Sequence, residues 1–192
     1  ILELQEKISA LIKGNNYSRA LEYAAVALDL SPDNNVLLSQ KAICLWRLND
    51  LAGAAVIYEK MFNLDTTDTG HLLNLLEVYL ISNRLDDYES LIKKHSQQIL
   101  SRQDSEYLMP YFDMLKYYQL DNRDKMRGVI KKIAEKCSPG KVKRVKWDYS
   151  DVSRYLETKP ADEKKDLLLL LINLLRGDLD RDEALKKLGD SH

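Results

Sequence analysis

Three histidines, two cysteines and a few clustered carboxylates are the residues of this chain that could carry bond chemistry or hold a metal. His71 lies beside Gly70 at a helix start, His95 beside Lys94 on a charged stretch, and His192 is the last residue. No Cys, Asp or Glu recurs around them at metal-ligand spacing. Cys44 and Cys137 fit no ligand spacing either and read as buried free thiols, with a disulfide as the alternative. Asp86-Asp87 follows a turn, so the pair reads as helix capping rather than as a general acid and base. Asp178, Asp180 and Asp182 alternate as in a cation loop, but Gly189 and Glu183 stand outside the loop spacing such a site needs. Seven glycines leave little room for a phosphate-cradling loop. The expectation is a non-enzyme with no catalytic residue, no cofactor and no metal.

One cluster concerns binding instead. Lys141, Lys143, Arg144 and Lys146 place four cations in six residues, interleaved with Val142 and Val145 and followed by Trp147. Strict alternation suits a short strand. Cations beside Trp also suit phosphate contact with base stacking. The patch is small, and a solvated linker anchored by Val and Trp is the plainer reading. Contact of Lys141, Lys143, Arg144, Lys146 and Trp147 with nucleic acid or an anionic surface is the alternative.

Composition narrows the classes. The chain has 192 residues, 45% hydrophobic and 31% charged, enough for a core and for solubility. Its 29 basic and 30 acidic residues give net −1, so no global field favours nucleic acid or an anionic membrane. No apolar run reaches the roughly 18 residues a membrane span needs. Only seven Gly and four Pro argue for long helices over a turn-rich β fold. The chain begins with Ile1 rather than Met, which reads as a fragment or a trimmed N-terminus. A cytoplasmic location is expected from the separated thiols, with a periplasmic or exported one left open.

The elements that would position any site repeat with a period of 34. Tyr17, Ala20, Leu21, Ala24, Ala27 and Leu30 are matched 34 residues later by Leu51, Ala54, Ala55, Tyr58, Met61 and Leu64. Spacings of three and four put each set on one helix face, and the small residues let another helix approach. Gly14-Asn15-Asn16 and Asn49-Asp50 precede the two sets as turns, and Leu4, Ile8, Leu11, Ile12 and Leu38, Ala42, Leu45, Trp46 form an earlier helix in each unit. Ser31-Pro32-Asp33 closes the first unit. Leu72, Leu76, Tyr79, then Asn83-Arg84-Leu85, Tyr88 and Ile92 make a degraded third copy. A fourth hairpin spans 107–136 around Asp121-Asn122, with an insertion expected near 97–104 and Pro110 in the first turn of its opening helix.

This pattern resembles the tetratricopeptide repeat family. The resemblance rests on the 34-residue period, on Tyr17, Ala20, Ala24, Ala27 and Pro32, and on Leu45, Leu51, Ala54 and Tyr58. Leu4, Ile8 and Thr66 depart from the family pattern. The resemblance implies an all-α fold, a right-handed α-α superhelix of about four hairpins (1–34, 35–68, 69–101, 105–137), whose concave face is lined by the first helix of each pair. On this sequence that face carries Leu2, Gln5, Ser9, Ile12 and Lys13, then Val36, Ser39, Ile43, Trp46 and Arg47, then Gly70, Leu73, Glu77, Leu80 and Ile81. The expected partner groove is Ser39, Ile43, Trp46, Arg47, Leu73, Glu77 and Leu80. The best-known class of the family clamps a C-terminal carboxylate with Lys and Asn. Gln5, Ser9 and Ile43 stand in those places here, so no binding of acidic chaperone tails is expected.

After a basic linker at 138–147, residues 148–192 read as a helical cap. Asp162 and Glu163 open a helix that runs through 167–175, apolar on nearly all faces, and Gly177 ends it. Burial within the chain is the preferred reading of that run, and a homodimer seam or docking surface the alternative. The function expected is a scaffold or adaptor binding a protein, peptide or helix in an apolar groove. The alternatives are a targeting module acting through 141–147 and the recognition domain of a larger enzyme.

Overall fold

Four residues with left-handed backbone set the frame of the helix pairs. Asn15, Asn49, Asn83 and Asp121 have φ of 58°, 63°, 58° and 50°. Asn and Asp tolerate this region where most side chains do not. In the first, second and fourth turns the next residue bonds back, Asn16 N to the Leu11 carbonyl at 2.9 Å, Asp50 N to Leu45 at 2.8 Å and Asn122 N to Tyr117 at 3.0 Å. The same residues then cap the following helix. Asn16, Asp50 and Asn122 accept from the amides of Arg19, Gly53 and Lys125. Three consecutive residues thus end one helix, reverse the chain and start the next.

The computed structural model describes residues 1–136 and 147–189, and among them it is all-helical, with eleven helices and no strand. Two compact units divide the chain, Ile1–Ser82 and Asn83–His192. The first holds α1 (Leu2–Lys13), α2 (Tyr17–Leu30), α3 (Asn35–Arg47), α4 (Leu51–Leu64) and α5 (Thr69–Ile81). Consecutive helices pack together, and α1 also touches α3. Ala20, Ala24, Ala27, Ala54 and Ala55 are fully buried, which is how α2 and α4 come close to their neighbours. Between pairs, Asn34 and Asp68 cap α3 and α5, each accepting two amides.

The second unit holds α6 (Leu85–Leu100), α7 (Ser105–Gln119), α8 (Arg123–Lys136), α9 (Ser150–Glu157), α10 (Glu163–Arg176) and α11 (Arg181–Gly189). The longer spacing between the third and fourth turns is taken up by helix, not by loop. α6 has 16 residues against 14 in α2 and α4, and α7 has 15 against 13 in α3 and α5. That extension corrects the reading of Pro110. It lies inside α7, in the second turn, where its missing amide leaves the Glu106 carbonyl without an intrahelical donor. Asp86 and Asp87 are also corrected. They sit in the first turn of α6 behind Arg84, which supplies no side-chain cap, and Asp87 pairs with Arg84 Nε at 2.6 Å.

α10 packs on α7, α8 and α11. Leu167, Leu168, Leu170, Leu171, Ile172, Leu174 and Leu175 are all buried and Leu169 is half-buried, so most of the apolar run lies inside this chain. Arg127 fastens the packing. It pairs with Glu163 and donates to the Leu188 carbonyl at 3.1 Å. Gly177 ends α10 at φ 78°, a conformation only glycine adopts freely. Asp180 accepts from Glu183 N while Glu183 reaches back to Asp180 N, a reciprocal cap that gives both carboxylates a structural role at the start of α11. No helix among the described residues is long and apolar enough to cross a membrane.

Candidate functional site

The first-helix face of α1 and α3 is held together by a polar ladder that periodicity alone does not reveal. Gln5 Nε2 donates to Asn34 Oδ1 at 3.0 Å. Gln40 Nε2 donates to the Gln5 carbonyl at 2.9 Å and to Ser9 Oγ at 2.8 Å. Gln40 is buried, and its Oε1 has no hydrogen-bond partner. A polar amide amid the buried positions of α3 is the sequence signal that could have found this ladder, since a buried amide must be hydrogen-bonded or costly.

The groove residues fall into two groups. Ser39, Ile43 and Arg47 are half-buried on α3, as are Gln5, Ser9 and Ile12 on α1. Leu2 and Val36 are strongly exposed, at 70% and 53%. Ser39 Oγ lies 4.0 Å from Met61 Sδ. Trp46, by contrast, is a core residue at 5% exposure. Leu73, Glu77 and Leu80 of α5 are buried as well, so this row is closed to an incoming partner. α5 is apolar at nearly every position, and nine of its thirteen residues are buried. A helix of that composition does not present one dry face and one wet one. The surface left open on α1 and α3 is therefore mixed, alternating Leu2, Ile12, Val36 and Ile43 with Gln5, Ser9, Ser39 and Arg47.

Of the basic segment, Lys141, Lys143, Arg144 and Lys146 lie outside the described residues. Trp147 is half-buried, edge-on to Phe112 with ring centroids 6.4 Å apart. Tyr149 follows, buried, its ring 5.0 Å from that of Tyr111. The end of the linker is thus tied to α7 by aromatic edges, each such pair adding about 0.5–1.5 kcal/mol beyond area burial.

Cys44 is a free, buried thiol whose pKa burial pushes up to about 11, the reverse of an activated nucleophile. His71 Nε2 stands 3.8 Å from Asp68 Oδ2, the acid that caps α5. No group of three or more His, Cys, Asp or Glu among the described residues could hold a metal ion. No protein-family model, curated protein or solved structure matches the chain.

Proposed function

We propose that this chain is a non-catalytic recognition module built in the manner of tetratricopeptide repeats, a right-handed superhelix of helix pairs that takes a peptide or helix across the first helices α1 and α3. The observation that supports this reading is the register of the first two pairs. Left-handed Asn15 and Asn49, caps Asn16 and Asp50, and caps Asn34 and Asp68 all recur at the repeat period. Equivalent punctuation accompanies first helices that lie side by side, where α1 touches α3 and leaves Gln5, Ser9, Ser39, Ile43 and Arg47 within reach of solvent. A mixed surface of that kind binds by covering Val36 and Ile43 while satisfying the serines and glutamine, with no bond made or broken. Cytoplasmic residence belongs to the same proposal.

The test is capture of partners by the immobilised chain, comparing wild type with Ile43→Glu and with a control on α2, Val26→Glu. A protein retained by wild type and control but lost with Ile43→Glu supports the reading. Retention indifferent to Ile43, or no specific retention, removes it. A peptide ending in acidic residues is expected not to bind, by titration calorimetry.

A further inference from the structure

Residues 123–146 carry ten Lys or Arg against two carboxylates, Asp124 and Glu135, in a chain whose net charge is −1. The imbalance begins inside α8, well before the linker. Two of its cations are committed to packing, Arg123 and Arg127 on Glu163. Lys125, Lys131, Lys132 and Lys136 are exposed, and none of them makes an ion pair among the described residues. Lys125, Lys132 and Lys136 fall on one face of α8, and at 1.5 Å per residue the row is about 16 Å long.

That row borders a groove of about 580 Å³ between α7 and α8. The opposite wall is Pro110, Asp113 and Tyr117 of α7, and the Lys125 ammonium stands 5.2 Å from the Tyr117 ring centroid. Gly128 lies on the α8 side, and a Cβ there would meet no atom within 4 Å. Its backbone is not left-handed, so neither conformation nor packing within the chain requires glycine at this place in a helix. The space it leaves is open to something from outside.

We propose that the α7–α8 groove binds the backbone of single-stranded nucleic acid, with Lys125, Lys132 and Lys136 each on a backbone phosphate and Tyr117 offering a ring for a base. The shape favours this occupant. The lysines line a concavity, which admits a narrow polyanion and not a flat bilayer. An aromatic ring beside the cations serves a base and does nothing for an acidic peptide. Near-zero net charge disfavours nucleic acid only as an average over the molecule, whereas binding answers to the local field. Asp113 and Asp124, the two carboxylates that line the groove, oppose the binding. Burial raises the pKa of Asp113 while Lys116 and Lys132 pull it down. This inference goes beyond the recognition face of α1 and α3 and does not depend on it.

The experiment is fluorescence anisotropy of a labelled oligouridylate of about 20 nucleotides, longer than one binding module covers, titrated with the full chain at several salt concentrations. Micromolar binding at low salt is expected. Replacing Lys125, Lys132 and Lys136 by Ser should weaken it at least ten-fold. The same replacement should reduce the slope of log K against log salt by about 2, at about 0.7 for each phosphate left without its lysine. Gly128→Leu should weaken binding by filling the groove while the thermal melt holds or rises. Asp113→Asn should tighten it. The proposal fails if the oligonucleotide does not bind, or if a polyglutamate peptide or phosphatidylserine vesicles bind as tightly. It also fails if the three-lysine variant binds as wild type while replacing Lys141, Lys143, Arg144 and Lys146 abolishes binding, which would assign recognition to the linker alone.

Discussion

Ile43 and Trp46 are one turn apart on α3, yet their substitution has different consequences. Trp46 is a core side chain, so Trp46→Ala should cost about 3–5 kcal/mol in a denaturant melt and is unsuited to testing a groove. Ile43 is half-buried, so Ile43→Glu should cost about 1 kcal/mol or less and report on binding. Helical spacing places both on one surface, because it specifies direction from the axis but not what stands opposite. Gln40 makes the same point from the polar side, since only the fold brings it to Gln5 and Ser9. Cys44 allows a pH test. With its pKa at about 11, the thiolate is scarce at pH 8 and grows as pH rises toward that value. Alkylation of a Cys137→Ser variant should be slow in the native state and complete after denaturation, and a fast native reaction at pH 8 would contradict the burial.

At the scale of the helix, turn chemistry is legible because it is local. Asn15, Asn49, Asn83 and Asp121 stand in left-handed turns where the sequence marks them, and Asp162 and Gly177 bound α10 closely. The insertion before the fourth hairpin is visible as a number of extra residues but not as a structure. Four extra residues can make a loop or lengthen two helices, and here packing chose the helices. Pro110 shows the cost of that choice. A proline in a helix interior is about 3 kcal/mol worse than alanine, so Pro110→Ala should raise the melting temperature. Gly128→Ala should do so as well, by about 1 kcal/mol at an open helical position. A fall in melting temperature for either would mean that the site tolerates no Cβ or needs the proline's shape.

Across the whole molecule, the two continuous apolar helices behave alike: α5 and α10 are buried on nearly all sides. For α10 the partners are α7, α8 and α11. Light scattering at tens of micromolar should therefore give a monomer without binding of a dye for exposed apolar surface, and a dimer that dissociates on Leu169→Glu would reverse this conclusion. Charge is likewise a matter of distribution. Arg123 and Arg127 hold α10 through Glu163, while the remaining cations of α8 face solvent. A net charge of −1 conceals both arrangements.

The sequence by itself determined the all-helical class, the repeat phase and the turns, because propensity, capping and the spacing of small residues act over a few positions. Tertiary structure alone decided which faces remain open. The α5 row is closed, the α1–α3 face is mixed rather than apolar, and the lysines of α8 border a groove with α7. Burial depends on which element covers a face, and that information is nonlocal: Ser39 and Leu73, one repeat period apart and at the same helical phase, meet different neighbours, so Ser39 is half-buried and Leu73 fully buried.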